Sequence, residues 1–255
     1  LEGQRTLVTG GSRGIGRGIA LGMARQGADV AVNFKTSRED AEDAVRQMEE
    51  MGRRAIAVQD STDSSSDVDR FVGEAYDFLG GIDILVNDAG ISGESALLEM
   101  EESFWDRIMA VNLKGNFLCS QAVARQMVAQ GEGGRIINIT STAGANARPG
   151  ASAYASSKAG IIQFTKVLAL ELGGEGITVN AVGPGMTLTG SEVKPAPSDE
   201  YQKAFVGQVP MGRPGAPADI AAAVAFLASG DAAYINGQVI FVDGGYSAGK
   251  LSVSG

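Results

Sequence analysis

Thr9-Gly-Gly-Ser-Arg-Gly-Ile-Gly16 directly follows a short apolar stretch rich in β-branched residues and precedes a longer amphipathic one. Glycines at a strand-to-helix junction permit positive φ angles, let the backbone approach a pyrophosphate and leave the helix N-terminus open to negative charge. The spacing Gly10-x-x-x-Gly14-x-Gly16 differs from the common G-x-G-x-x-G pattern. Its position between the first predicted strand and the first predicted helix nevertheless favours a dinucleotide-binding turn.

Strand-like and helix-like segments alternate along the sequence. Short segments rich in β-branched residues predict strands at 6–9, 29–33, 55–58, 84–87, 135–139, 177–182 and 239–242. Segments with helical periodicity lie at 15–26, 38–51, 65–78, 103–111, 113–130, 154–172 and 217–227. Such alternation is typical of βαβ units in a parallel sheet, with right-handed crossovers and a ligand crevice at the carboxyl ends of the strands. We predict an α/β fold with a doubly wound sheet, in a single domain over residues 1–255.

Composition narrows the classes of function. The formal net charge is −9, and an acidic surface repels phosphate backbones, which disfavours a nucleic-acid partner. The sequence has no histidine and one cysteine, Cys119, so the usual zinc and copper ligand sets are unavailable and no intrachain disulfide is possible. No run of about 18 apolar residues and no leading signal segment is present, so we expect no membrane span and a cytoplasmic location.

A second informative stretch is Tyr154-Ala-Ser-Ser-Lys158, at the start of a predicted helix. The i,i+4 spacing puts the phenol and the amine on one helical face. Tyrosine titrates near about 10, and a cation within a few ångströms lowers that pKa, so Lys158 would prepare Tyr154 for proton transfer. Ser141 closes the fifth predicted strand and would point into the crevice. The pair alone is also compatible with an ordinary helix; Ser141 and the glycine turn together favour a catalytic site.

The residues after the second and third predicted strands are expected to decide which nicotinamide cofactor binds. A domain that prefers NAD usually places an acid at the end of the second strand, whereas here Phe34 and Lys35 occur at that end and no carboxylate follows them until Glu39. Arg13 and Lys35 would both face a 2′-phosphate, unless they are solvated surface charges, so NADP(H) is favoured over NAD(H). Asp60 follows the third strand, where it would lie beside the adenine or cap the next helix.

Three further polar or small-residue positions lie where the predicted elements end. The turn 87–90 (Asn-Asp-Ala-Gly) would let backbone pack near the nicotinamide ribose, although alone it is an ordinary turn signal. Asn112 lies between two predicted helices, where a lone amide is most often a local hydrogen-bond partner or a helix break. The carboxyl edge after the sixth strand carries Pro184, Gly185, Thr187 and Thr189.

Together these motifs resemble, in order and spacing, those of the classical short-chain dehydrogenase/reductase family, from Thr9 to Gly245. The resemblance implies a Rossmann-type fold with seven strands and a catalytic tetrad of Asn112, Ser141, Tyr154 and Lys158. Tyr154 would be the general acid in reduction and the general base in oxidation, and Ser141 would hydrogen-bond the substrate oxygen. Lys158 would lower the pKa of Tyr154 and hold the nicotinamide ribose, and Asn112 would hold a water that links Lys158 to solvent.

The resemblance also implies the cofactor contacts and the assembly. The predicted contacts with NADP(H) or NAD(H) are Gly10, Ser12, Arg13, Gly14, Ile15, Gly16, Phe34, Lys35, Asp60, Ser61, Asn87, Ala89, Gly90, Tyr154, Lys158, Pro184, Gly185, Thr187 and Thr189. Asp88 replaces the second asparagine of the common Asn-Asn-Ala-Gly turn, a change expected to leave the fold untouched. Thr187 replaces a common isoleucine, but the backbone contact expected there does not depend on the side chain. A homotetramer would pair helices 113–130 and 154–172 and the last strand, unless residues 246–255 cover that edge.

The substrate is inferred from charge. The nearest likeness is to 3-oxoacyl-(acyl-carrier-protein) reductases and to sugar or polyol dehydrogenases of the same family. An acyl carrier protein is acidic, and Glu132 and Glu175 are expected beside the active-site mouth, where they would repel it. We therefore predict a small free ketone or secondary alcohol as substrate, with residues 187–211 as a lid. The alternatives are a 3-oxoacyl-(acyl-carrier-protein) reductase and a non-catalytic NADP(H)-binding sensor protein.

Overall fold

A single parallel sheet of seven strands forms the centre of the molecule. Its strands are β1 (Arg5–Thr9), β2 (Asp29–Phe34), β3 (Ala55–Gln59), β4 (Ile84–Asn87), β5 (Gly134–Ile139), β6 (Ile177–Pro184) and β7 (Val239–Val242). Their spatial order is β3-β2-β1-β4-β5-β6-β7, so the strand order switches between β1 and β4, where doubly wound sheets bind their ligands. The computed structural model describes residues 1–190 and 198–249. The predicted α/β fold with a doubly wound parallel sheet is confirmed.

Helices cover both faces of this sheet. They are α1 (Gly14–Arg25), α2 (Arg38–Glu50), α3 (Ser65–Leu79), α4 (Glu102–Met109), α5 (Gly115–Gln130), α6 (Ser152–Leu172), α7 (Asp199–Val206) and α8 (Pro217–Ala228). The seven predicted helices are present with small shifts at their ends. The additional helix, α7, lies in the segment predicted as a lid. A π-helical turn, Ala110–Lys114, joins α4 to α5 without a break in the helical path.

Strands buried on both faces explain why the strand segments are apolar runs instead of alternating patterns. The neighbours Leu7 and Val8 of β1 are both fully buried but belong to opposite core layers. One layer packs beneath α1 and α8, around Ile19 and Val224. The other packs beneath α3 and α5, around Phe71. Among the described residues, no helix is both long and apolar enough to cross a membrane.

The last strand lies at the sheet edge and ends beside the carboxyl-edge crevice. β7 pairs with β6 from Ala181–Val239 to Pro184–Val242. After it, Asp243 accepts hydrogen bonds from the backbone N–H groups of Gly245 and Ser247, both at 2.9 Å. Residues 250–255 of the tail that was considered as an edge cover lie outside the described residues.

Candidate active site

The glycine turn leaves the N-terminus of α1 open. Gly10 and Gly14 adopt positive φ angles of 67° and 60°. A Cβ on Gly16 would overlap the Gly10 carbonyl oxygen and lie 2.9 Å from its carbon. Arg13 is the N-cap residue of α1 and makes no side-chain cap. Because the glycines of the turn carry no side chains and the turn faces the positive end of a helix dipole, its shape and charge fit a pyrophosphate.

The turn after β4 packs directly on this glycine turn. Thr9 Oγ1 accepts hydrogen bonds from the N–H groups of Asp88 and Ala89, both at 3.1 Å. Any Cβ on Gly10 would lie 3.0 Å from Ala89 Cα. The two loops at the switch point are therefore held together by the hydrogen bonds to Thr9, and the absence of a side chain at Gly10 allows their close approach.

Asn87 supports this turn from below. Its Nδ2 donates to Ser120 Oγ at 2.9 Å and to Asn138 Oδ1 at 3.0 Å. Asn138 Nδ2 in turn donates to Thr165 Oγ1 at 2.9 Å. All four side chains are buried. Hydrogen bonds across β4, β5, α5 and α6 thus fix the strand ends, while the buried Oδ1 of Asn87 has no hydrogen-bond partner among the described residues.

The structure brings Ser141, Tyr154 and Lys158 together at the carboxyl edge. Ser141 lies two residues beyond the end of β5 and its Oγ accepts a hydrogen bond from Ala143 N at 3.1 Å. The Ser141 side chain also hydrogen-bonds Tyr154, in the first turn of α6. Lys158 Nζ lies 5.9 Å from the centroid of the Tyr154 ring. Phenol, hydroxyl and amine thus converge from two elements.

Burial governs how these groups titrate. Burial raises the pKa of Tyr154, and the Asp88 carboxylate raises it further. The hydrogen bond with Ser141 and the charge of Arg148 act in the opposite direction. Burial lowers the pKa of Lys158 to about 8, against the attraction of Asp88. Lys158 Nζ donates to Ile139 O at 2.8 Å. The pKa of Tyr154 is therefore raised and not lowered as predicted, because the desolvation of the phenol outweighs the Ser141 hydrogen bond and Arg148, and Lys158 is not among the groups that shift it.

Asn112 lies in the π-helical turn and is almost fully buried. Its Oδ1 accepts from Ile91 N at 2.8 Å, and its Nδ2 donates to Ile91 O and to Ser157 Oγ, both at 3.0 Å. Ser157 Oγ donates to Tyr154 O at 2.7 Å. The amide therefore ties the segment after β4 to the helix of Tyr154 and Lys158. Its proposed role with a water stays a prediction.

Cationic side chains gather where β2 ends. Arg13 Nη1 donates to Ser37 Oγ at 3.0 Å. The Arg38 guanidinium lies 5.5 Å from the centroid of the Phe34 ring. Lys35 Nζ lies 3.5 Å from Asp63 Oδ2, so part of its charge is neutralised. Of the two cations predicted to face a 2′-phosphate, Arg13 thus has a neutral partner and Lys35 an acidic one.

The carboxylate of Asp60 is bound by Arg70 of α3. Arg70 Nε donates to Asp60 Oδ2 at 2.7 Å, and Arg70 Nη2 binds the other oxygen. The N-cap of α3 is Ser64, so the alternative that Asp60 caps this helix is wrong. The adjacent Ser61 Oγ donates to Asp63 Oδ1 at 2.6 Å.

The segment after β6 lies over the glycine turn. Gly185 N donates to Val242 O at 3.0 Å, and Thr187 Oγ1 donates to Gly185 O at 3.2 Å. Thr189 Cγ2 lies 3.6 Å from the position that a Cβ on Gly14 would take. The remaining predicted contacts also lie in these loops: Ser12 is buried, Ile15 is half-buried in the first turn of α1, Gly90 is exposed and Pro184 ends β6.

Glu132 and Glu175 do not lie beside the active-site mouth. Glu132 Oε2 is 3.0 Å from Nη2 of Arg5, the first residue of β1. Gly134 N donates to Gly176 O at 3.4 Å, which joins the starts of β5 and β6. Residues that precede parallel strands lie at the amino edge, opposite the crevice, so the predicted position of both glutamates is wrong.

Two charged features beside Tyr154 were not predicted. Arg148 pairs with Glu94, and both are exposed beside the loop that leads into α6. Asp88 Oδ2 lies 2.6 Å from the position of a Cβ on Gly16, and burial raises its pKa to about 7. The substitution of an asparagine by Asp88 was the one available signal, but sequence cannot show that the new carboxyl is desolvated.

Several known proteins are similar to this chain in sequence and fold. A family model described as enoyl-(acyl carrier protein) reductase matches residues 10–247. The 3-oxoacyl-(acyl-carrier-protein) reductase of Staphylococcus epidermidis is 45% identical over 239 residues, which are 94% of this chain and 97% of that protein. The L-rhamnose 1-dehydrogenase (NAD(P)(+)) of a Sphingomonas species is 39% identical over 245 residues, 96% of each chain.

A solved structure of a short-chain dehydrogenase from Burkholderia cenocepacia J2315, in complex with NADP, superposes with a TM-score of 0.90. It is 40% identical and covers 96% of this chain and 98% of that one. Similarity in sequence and fold thus extends over almost the whole chain, including the glycine turn and the Tyr154–Lys158 helix. The chain belongs to the classical short-chain dehydrogenase/reductase family of NAD(P)-dependent oxidoreductases.

Proposed function

We propose that this enzyme interconverts a small free ketone and a secondary alcohol, with Tyr154 as proton donor and acceptor. The observation that carries the proposal is the convergence of Ser141, Tyr154 and Lys158 at the carboxyl edge, next to a glycine turn that fits a pyrophosphate. When bound there, the nicotinamide cofactor supplies or accepts the hydride. The protein orients the substrate oxygen and moves the proton.

Each side chain has a separate task in reduction. The substrate oxygen becomes negatively charged as the hydride arrives, and the Ser141 hydroxyl donates a hydrogen bond to it. Tyr154 gives its proton to the same oxygen. Because the pKa of Tyr154 is raised, the phenol carries its proton at neutral pH and is ready as an acid. Lys158 would hold the ribose hydroxyls.

NADP(H) is the proposed cofactor. Support comes from Arg13, which donates a hydrogen bond to Ser37, the N-cap residue of α2, and has no acidic partner among its hydrogen bonds there. The NADP complex of the Burkholderia cenocepacia relative agrees with this choice. Replacing Arg13 by alanine should raise the Kd for NADPH by about tenfold, a 1.4 kcal/mol loss, and leave the Kd for NADH nearly unchanged. An equal effect on both cofactors would contradict a 2′-phosphate contact.

A small substrate is favoured by the charge beside the crevice. The segment after β4 runs beside the loop that leads to Tyr154, since Ser95 N donates to Gly150 O at 2.9 Å. This segment exposes Glu94, which pairs with Arg148, and three further acidic side chains: Glu99, Glu101 and Glu102. Glu132 and Glu175 lie at the opposite edge of the sheet, but an acidic carrier protein would still meet like charge here. The rhamnose dehydrogenase relative, named for a free sugar, agrees with a small substrate.

The second candidate is a 3-oxoacyl-(acyl-carrier-protein) reductase, favoured by the 45% identical relative of that name. Steady-state kcat/KM with a carrier-bound 3-oxoacyl thioester, compared with short ketones and sugars, separates the two. Preference for the carrier-bound substrate would overturn the small-ketone proposal. Binding of NADPH without reduction of any carbonyl would instead revive the sensor alternative, which the presence of all four tetrad residues disfavours.

We also propose a lid and an assembly. Within 187–211, α7 packs through Phe205, which stacks on Tyr246 with ring centroids 4.7 Å apart; Pro195 and Pro197 of the predicted lid lie outside the described residues. Short-chain dehydrogenases/reductases are generally multimeric. Here α5 and α6 expose apolar side chains that suit the proposed homotetramer, including Leu170 at 86% and Phe117 at 40% exposure. The single domain and the cytoplasmic location stay predictions.

A further inference from the structure

Asp88 puts a carboxyl group at the N-terminus of α1. Its carboxylate accepts a hydrogen bond from Gly16 N, and its Oδ2 lies 2.6 Å from the position of a Cβ on Gly16. The Asp88 backbone is fixed by the 3.1 Å hydrogen bond from its N–H to Thr9 Oγ1. The Asp88 carboxylate therefore binds an N–H group at the N-terminus of α1, the same helix end that an anionic pyrophosphate would approach.

Lys158 is the charged group that acts on this carboxyl. Its ammonium opposes the effect of burial, which raises the pKa of Asp88 to about 7. The influence is mutual, because the Asp88 carboxylate raises the pKa of Lys158 and also that of Tyr154 on the same helix. The carboxyl, the amine and the phenol therefore form one electrostatic cluster beside the glycine turn.

The other cations near this cluster are engaged elsewhere. On the glycine turn and α1, Arg13 donates to Ser37 and Arg17 pairs with Asp43 of α2. Before α6, Arg148 pairs with Glu94. None of these three acts on Asp88, whose described influences are burial, Lys158 and the Gly16 amide. A negative charge on Asp88 is thus compensated only in part, by Lys158, and lies where the anionic pyrophosphate would bind.

We infer that Asp88 is a positioning residue that couples cofactor binding to the uptake of one proton. The protonated carboxyl accommodates the anionic cofactor, whereas the carboxylate holds the Gly16 amide and repels the pyrophosphate. On binding, a proton from solvent adds to a carboxylate oxygen of Asp88 and no covalent bond to the cofactor forms. The inference rests on the proposed function only in that the nicotinamide cofactor binds at the glycine turn.

The coupling has a measurable size. Below the pKa of the free carboxyl, binding requires no proton, and above it each pH unit costs at most a factor of about ten in affinity. Between about pH 6.5 and pH 8.0 the Kd of the wild-type protein for NADH should therefore rise by up to about eightfold. NADH serves here as the probe because it lacks the 2′-phosphate of NADPH, which itself titrates in this range.

The test compares wild type with Asp88→Asn. Asparagine matches aspartate in size and is the residue common at this position of the family's turn, so the variant should fold; circular dichroism checks this. Glu132→Gln is the matched control, since it removes one negative charge at the opposite edge of the sheet. Calorimetric titration with NADH, near pH 7.5 and in two buffers of different ionisation enthalpy, counts the protons taken up.

We expect proton uptake by wild type and by Glu132→Gln, and at least a halving of it in Asp88→Asn. The Kd of Asp88→Asn should also change less than about twofold over the same pH range. Equal proton uptake by Asp88→Asn and wild type, or a wild-type Kd that does not change with pH, would overturn the inference. Because these readouts need no turnover, a protein that reduced no ketone would lose the proposed function and could still show the coupling.

Discussion

Replacing Gly16 by alanine tests the glycine turn with a single methyl group. The φ angle of Gly16 is not among the positive values, so alanine introduces no backbone strain of that kind. The new Cβ would overlap the Gly10 carbonyl oxygen, and it would lie 2.9 Å from the Gly10 carbon and 2.6 Å from Asp88 Oδ2. Non-bonded heavy atoms prefer separations of about 3.5–4.0 Å. The backbone of the turn must therefore move.

Overpacking of this kind costs about 1–3 kcal/mol. Because the part that yields is the loop that receives the pyrophosphate, the cost should appear mainly as weaker cofactor binding. At 1.4 kcal/mol for each factor of ten, the Kd for NADPH should rise by about 5- to 150-fold. The change is measured by titrating NADPH fluorescence, and urea denaturation reports any loss of stability in the same sample.

Gly73→Ala is the control. Gly73 lies inside α3, has no atom within 4 Å of the position that a Cβ would take and is outside the positive-φ set. The exchange should stabilise the protein by about 0.5–1 kcal/mol through helix propensity and leave NADPH binding unchanged. If Gly16→Ala bound NADPH within about twofold of wild type at an unchanged urea midpoint, the close approach inferred for this turn would be refuted.

Further variants probe charge, fold and assembly. The pKa of Asp88 in the folded protein, about 7, exceeds the ordinary value of 3.8. The stability that the protonated Asp88 side chain contributes is therefore fully present below pH 3.8 and is lost as the pH rises towards 7. The urea midpoint of Asp88→Asn relative to wild type should thus increase between about pH 5 and pH 8, equivalent to about 1–3 kcal/mol; a constant difference would contradict the raised pKa. Arg5→Met removes the 2.8 Å bond from Arg5 Nε to the part-buried Asp83, which should lower the free energy of unfolding by about 1–3 kcal/mol without changing NADPH binding; a loss of binding would be the opposing result. Leu170→Glu puts a charge on an 86% exposed position of α6, and sedimentation velocity should then show smaller assemblies, whereas an unchanged assembly would exclude this face.

Sequence periodicity was sufficient for most of the fold. Strands such as 84–87 are short, apolar and bounded by turn residues, and their burial on both faces makes that signal strong. It was insufficient for α7, an amphipathic helix of eight residues whose position depends on tertiary contacts such as Phe205 on Tyr246. At Asn112, local pattern suggested an interruption, while the chain in fact accommodates the residue in a π-helical turn.

The candidate site was predictable in its members and less so in its energetics. Spacing placed Tyr154 and Lys158 on one face, and strand ends placed Ser141 opposite them. The pKa of Tyr154 depends on burial from all sides and on a carboxyl 66 positions earlier in the chain, which no local pattern contains. The misplacement of Glu132 has a simpler cause, because residues before a parallel strand lie at the edge of the sheet opposite the crevice.

The most direct test of the proposed chemistry is kcat/KM for ketone reduction by Tyr154→Phe, measured together with the Kd for NADPH. The exchange removes only the hydroxyl that Ser141 hydrogen-bonds. We expect kcat/KM to fall by about 10²–10⁴, the usual contribution of a general acid, while the Kd for NADPH stays within about twofold of wild type. A variant that retained more than about a tenth of the wild-type kcat/KM would show that Tyr154 does not carry the proton.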